Sequence, residues 1–323
     1  MPSLGGHGVL VFDIQKPGRN RTARRRRQTL SALRSPIAMT LRGLQAQALC
    51  VDDKTLYFWQ VDGFVPRARP PLGTFDAAAA GARLLPMAVV HDPRHGKQVV
   101  FVADRRGRLC RWSDNGAPPE QVDDKVLAIT ALGTTSLAYA VEHGGGLWVR
   151  ATTAAGPSTP LQKRLGIVEE RFAPVLLATS SQGSAASVLA AAAIRRRRSP
   201  AAVWRLMTAA VASKGLLADV EPDACEIELR PGDRVAGLLP PRGAAPAALV
   251  VLSVDGRSVH LEDGQQRTLL YRSDEHVLLQ CAVNAWPPRV ALITQARELV
   301  VLDATTAPAQ PLLVVSDTVE VAR

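Results

Sequence analysis

Arginine is the residue this chain holds in excess, and it comes in blocks. Arg24, Arg25, Arg26 and Arg27 form one unbroken run, Arg195, Arg196, Arg197 and Arg198 a second, and Arg105-Arg106 a pair ahead of Gly107. A guanidinium is a rigid fork of donors that matches carboxylate or phosphate two bonds at a time. These blocks are therefore candidate anchors for an acidic protein segment or a phosphate backbone. Other constellations fall short of chemistry. His91-Asp92-Pro93-Arg94-His95 offers two imidazoles and a carboxylate, but zinc takes four ligands and no second His or Cys cluster supplies the rest. Pro93 and Gly96 mark a loop between strands instead. His143-Gly144-Gly145-Gly146 has the form of an oxyanion-hole loop, which needs a nucleophile on a G-x-S-x-G elbow, and the chain contains none. Three glycines between two apolar runs make a hairpin turn. The acid pairs Asp52-Asp53, Asp123-Asp124 and Glu169-Glu170 also read as turn residues, because Asp accepts local backbone hydrogen bonds. Neither phosphate-binding glycine motif occurs. No catalytic residue, cofactor or metal is expected, and the chain is not expected to be an enzyme.

The charge is local. Of the net +10, residues 1–44 carry nine Lys/Arg against the single acid Asp13, leaving the rest of the chain close to neutral. The segment 16–35 holds seven Arg and one Lys with no acid, the composition of a flexible loop. Arg far outnumbers Lys and Ala is abundant, the bias of a GC-rich bacterial genome. Cys50, Cys110, Cys225 and Cys281 are widely spaced, without a CxxC pair, and read as reduced buried thiols. No signal peptide is visible, since the opening apolar run is too short for one. Ala173–Ile194 is uncharged and precedes an Arg run, yet its middle, Thr179 to Ser184, is a turn cluster where a spanning helix needs apolar surface. Two strands joined by a turn are expected there, and a cytoplasmic protein with no membrane partner.

The elements that must position these residues repeat. Six times an apolar run ends in a turn of Asp, Gly or Arg, and a short strand follows with a large residue near its end. Four copies end on Trp59, Trp112, Trp148 and Trp204, and two weaker ones on Leu261 and Leu302. A hairpin recurring at about the length of a four-stranded unit marks a β-propeller. Each unit divides into strands A, B and C and a less distinct D. Ala-rich Ala185–Ile194 reads as strand because Pro and Gly punctuate its surroundings, while Thr208–Lys214 fits helix or strand. The fold class is all-β: residues 1–323 as a single propeller domain, six blades favoured, seven if the termini build another. An open ring would leave a bare edge, so Gly8–Ile14 is expected to close it as the outer strand of the last blade. The four tryptophans should occupy equivalent, buried C-strand positions.

The D-x-x-G-x-L-x-x-W of Asp104–Trp112, with looser relatives VDDKTLYFW and VDGRSVHL, resembles divergent WD-repeat-like and quinoprotein-like propellers. No Trp-Asp pair and no tryptophan-docking repeat recurs, so quinoprotein dehydrogenase activity is not implied. In general character the chain is similar to the propeller component of MoxR AAA+ ATPase/von Willebrand A ternary systems. That resemblance implies a partner that is an AAA+ ATPase or a von Willebrand A domain protein. The expected job is a non-catalytic protein-interaction scaffold with a loop-rich, basic face. The basic turn residues Lys54, Arg105, Arg106, Arg257 and Arg297 would share that face with both Arg runs. The alternative is a nucleic-acid or other polyanion-binding module, which the absence of aromatic residues within the Arg runs disfavours.

Overall fold

A computed structural model of the chain describes residues 8–12, 25–29, 36–42, 45–52, 55–60, 67–69, 86–104, 106–113, 120–144, 146–154, 162–167, 175–182, 185–194, 203–211, 223–241, 245–285 and 288–315. All regular elements among the described residues are strands. At the start, Gly8–Phe12 (β1) pairs antiparallel with Arg25–Thr29 (β2), Gly8 opposite Thr29 and Phe12 opposite Arg25.

Among the described residues six four-stranded sheets follow, each built from four consecutive strands in chain order. The first is Pro36–Arg42 (β3), Gln45–Asp52 (β4), Thr55–Gln60 (β5) and Arg67–Arg69 (β6). The second is Met87–Asp92 (β7), Lys97–Ala103 (β8), Leu109–Ser113 (β9) and Glu120–Asp123 (β10). Val126–Leu132 (β11), Ser136–His143 (β12), Gly146–Thr153 (β13) and Gln162–Ile167 (β14) make the third. The fourth is Val175–Gln182 (β15), Ala185–Ile194 (β16), Val203–Val211 (β17) and Asp223–Glu228 (β18). In the fifth stand Arg234–Leu239 (β19), Ala248–Leu252 (β20), Ser258–Glu262 (β21) and Arg267–Arg272 (β22). Leu278–Asn284 (β23), Arg289–Thr294 (β24), Leu299–Asp303 (β25) and Gln310–Val315 (β26) form the sixth.

The strands fall into two compact units, β1–β13 in one and β15–β26 in the other. In the first, the A strands β3, β7 and β11 lie side by side; in the second, β15, β19 and β23 do. Within each unit successive sheets thus meet face to face, as propeller blades do. The cores lie between them. Val90, Phe101 and Leu109 of the second sheet pack against Leu137, Tyr139 and Val141 of the third. Leu189, Trp204 and Leu206 of the fourth meet Leu249 and Val251 of the fifth. The opposite face of the fifth sheet, Val250, Val259 and Leu270, meets Val290, Leu292 and Leu302 of the sixth. Each such side chain contributes about 1.5–3 kcal/mol by leaving water.

Burial on both faces explains why β16 is a strand despite its alanines. Ala190, Ala191 and Ala192 are 2%, 1% and 6% exposed, so small side chains fit between neighbours where propensity alone would not decide. The same strand and β15 form the hairpin expected in Ala173–Ile194. Residues 208–211 continue β17 as strand.

Three expectations are corrected. The N-terminal strand does not complete the last sheet: β25 already pairs with β26 there, and β1 takes β2 as its partner. Segment 16–35 is not loop throughout, because Arg25–Thr29 is strand; five extended residues satisfy their backbone against Gly8–Phe12 whatever charge they carry. A third concerns the tryptophans. Half-buried Trp148 faces the second sheet, whereas Trp204, 5% exposed, faces the fifth. A one-residue difference in register sends a side chain to the opposite face. The side chains of Trp59 and Trp112 lie outside the described residues.

Candidate functional site

In a four-stranded meander, the B–C turn and the connection from D to the next A emerge at one end of the sheets. Here those turns are fastened to one another by backbone hydrogen bonds. In the first unit, Val126 N–H donates to Gly107 O at 2.9 Å and Glu142 N–H to Lys125 O at 3.1 Å. In the second, Ser273 N–H donates to Arg257 O at 2.9 Å, Leu278 N–H to Gly256 O at 2.7 Å, and Gln295 N–H to Val277 O at 2.7 Å. Gly107 and Gly256 have φ of +79° and +66°, and a Cβ would come within 3.1 Å of Lys125 Cα and 2.9 Å of Val277 Cγ1. Only glycine makes those turns without strain.

Aspartates hold the turns from within. Asp104 Oδ1 accepts Arg106 N–H at 2.9 Å and Arg108 N–H at 2.8 Å, and its Oδ2 is paired with the Arg108 guanidinium at 2.6 Å. Asp255 Oδ1 accepts Arg257 N–H at 2.9 Å and a close bond from Ser253 Oγ, which hold its carboxyl below the ordinary range. At the other end of the sheets Asp92 accepts Arg94 N–H at 2.9 Å and His95 Nδ1 at 2.8 Å, which lowers its carboxyl likewise. Residues 93–96 are therefore a turn closing the β7–β8 hairpin, as Pro93 and Gly96 imply. Asp123 Oδ1 caps Asp124 N–H at 2.9 Å. Among the described residues no three His, Cys, Asp or Glu side chains gather as metal ligands.

Two of these corners carry buried ion pairs between elements. Asp123 Oδ2 meets Arg150 Nη1 at 2.6 Å, and the phenol of buried Tyr139 hydrogen-bonds the same carboxylate; burial, then the Asp123 charge, push that phenol's pKa up. Asp233 Oδ2 meets Arg267 Nη1 at 2.6 Å, with Glu262 Oε1 at 3.0 Å from the same nitrogen, while Asp233 Oδ1 accepts Val254 N–H at 3.1 Å. Burial raises the Glu262 carboxyl and Arg267 opposes it. Beside this group, His260 Nε2 lies 2.9 Å from Ser258 Oγ, itself 2.9 Å from Ser253 Oγ. A Ser–His pair at that distance has the reach for proton transfer.

Of the residues singled out by sequence, Arg106 is exposed on this edge. Arg25, Arg26 and Arg27 stand in β2 opposite Phe12, Val11 and Leu10. Arg24, Arg105, Arg195, Arg196, Arg197 and Arg198 lie outside the described residues, as do Lys54, Asp53 and Glu169-Glu170. In the second unit this end of the sheets interleaves charges rather than collecting one sign. Arg257 and Arg297 stand with Asp255, Asp274, Glu275 and Glu298, and Arg257 Nη1 donates to Asp274 O at 2.9 Å. Cys110, Cys225 and Cys281 are free and half-buried; burial raises all three thiols, Cys281 to about 12. Asp233, His260 and the two serines escaped the sequence reading. Their one signal was alternation: Ser258, His260 and Glu262 occupy every second position between apolar Val259 and Leu261.

No family model matches the chain, and no curated protein does. Solved structures similar to it include the N-terminal domain of Nup159, at 13% identity and TM-score 0.43, covering 87% of this chain and 78% of that one. The β-propeller domain of Cps50 (Swd1) from Myceliophteria thermophila is similar at 12% identity and TM-score 0.48, covering 88% of each chain. The SapL1 lectin in complex with alpha methyl fucoside is similar at 12% identity and TM-score 0.45, covering 88% of this chain and 96% of that one. No helix among the described residues is long and apolar enough to cross a membrane.

Proposed function

We propose that the six sheets are blades of one propeller, and that the chain is a non-catalytic scaffold presenting its B–C/D–A edge to a protein partner. The observation that carries this is the fastening of neighbouring turns by backbone hydrogen bonds, between the second and third sheets in one unit and between the fifth and sixth in the other. Exposed Arg106, Lys125, Val254, Arg257 and Arg297 are therefore displayed from an ordered base. A surface ordered before contact loses little conformational entropy on binding. Interleaved cations and carboxylates suit a protein surface of matching pattern, which sets register and excludes wrong partners. The sequence resemblance supplies the partner class, an AAA+ ATPase or von Willebrand A domain protein in the bacterial cytoplasm. Nucleic acid is the alternative, resting on Arg24–Arg27 and Arg195–Arg198.

Charge reversal tests the reading. Arg106→Glu, Arg257→Glu and Arg297→Glu combined should abolish co-purification of the partner from the native host. Arg94→Glu with Gln265→Glu, at the opposite sheet ends, should leave it intact. Equal effects of the two sets would sink the proposal. Recovery of nucleic acid whose binding falls steeply with salt would favour the alternative.

A further inference from the structure

The polar atoms around His260 form a chain with one direction. Asp255 is a carboxylate and accepts from Ser253 Oγ–H. Ser253 Oγ–H is shared between Asp255 and Ser258 O at 2.9 Å, and Ser253 Oγ in turn accepts from Ser258 N–H at 3.0 Å and from Ser258 Oγ–H at 2.9 Å. Ser258 Oγ has then given its proton away and accepts from His260 Nε2 at 2.9 Å. Of the two neutral tautomers, the one protonated on Nε2 keeps every contact of this chain a hydrogen bond and leaves a bare lone pair, rather than an unpaired N–H, on Nδ1. That Nδ1 is buried without a hydrogen-bond partner, as is Arg267 Nε. The ring stands opposite Val251, which packs on the fourth sheet.

We propose that His260 is a pH-sensitive latch: neutral, it anchors the Ser258–Ser253–Asp255 relay and fixes the turn Val254–Arg257, and protonation of its ring loosens that turn. Protonation would place an N–H on Nδ1 where nothing accepts it, which costs the desolvation of a buried donor. It would also add a cation beside Arg267. The charged groups around the ring are Arg267 on β22, Asp233 and Arg230 in the β18–β19 connection, and Asp255 in the β20–β21 turn; Glu262 shares its face of β21. Burial first, then Arg267, hold the imidazole below its ordinary value of 6.5, with Asp233 and Asp255 opposing. The unfolded chain then binds the extra proton more readily. Stability supplied by the neutral ring is complete above pH 6.5 and is lost as pH falls through the interval down to the folded value. The latch acts on the edge whatever that edge binds.

Two measurements decide it. Thermal midpoints from neutral to mildly acid pH should fall more steeply for the wild type than for His260→Gln, since every other titrating group is common to both. In the wild type, the His260 Cε1–H resonance should titrate below the unfolded chain's value, and the amides of Val254, Arg257 and Ser258 should shift with the same midpoint. Should the variant not fold, the wild-type titration alone decides. Parallel pH profiles, a ring titrating at or above 6.5, or amides indifferent to it would overturn the latch.

Discussion

Asp123 and Asp233 do the same work in different sheets: each stands where a D strand gives way to the next A strand, and each grips an arginine of the sheet that follows. Side-chain exposures of 14% for Asp123 and 12% for Arg150 put that pair largely out of water. Removing one partner of a buried pair leaves an uncompensated charge, so Asp123→Ala should cost about 3–5 kcal/mol in denaturant unfolding. Adding Arg150→Met should restore most of the loss; a double variant no better than the single would mean the carboxylate acts through Tyr139 instead. That acids hold turns was legible in the sequence, and Asp92, Asp104 and Asp123 do so. Their distant partners were not. Arg150 lies 27 residues from Asp123 and Arg267 lies 34 from Asp233, separations that only strand register resolves.

At the scale of elements, the A, B and C strands were legible because burial on both faces writes them as continuous apolar runs. The D strands were faint for the converse reason. Asp223–Glu228 buries only Ile227, and Glu120–Asp123 holds Val122 as its one apolar residue, so neither gives a continuous apolar signal. Nor did spacing reveal which face each tryptophan takes. The close approach of A strands was equally hidden. A Cβ on Gly237 of β19 would fall 2.6 Å from Val283 Cβ on β23, inside any real contact. Gly237→Ala should therefore destabilise by about 1–3 kcal/mol through overpacking. Val283→Ala in the same chain should recover part of it, a coupling of opposite sign to two independent losses. Simple additivity in urea midpoints would show that the strands separate without cost.

Over the whole molecule, the repeat foretold an all-β chain of recurring antiparallel hairpins, and the four-stranded sheets among the described residues bear that out. It did not foretell where the N-terminal strand goes, because a five-residue apolar run fits any open edge equally and its partner, the arginine-rich β2, carries no strand signal at all. No single residue makes the proposed edge; neighbouring turns do, fastened together between the second and third sheets and between the fifth and sixth. A photo-crosslinking side chain at Val254, 70% exposed on that edge, set against one at Gln265 on the opposite sheet end, tests it most directly in the native host. The account predicts a discrete crosslinked protein from position 254 and none from 265. A product from 265 alone, or none from either site, would contradict it.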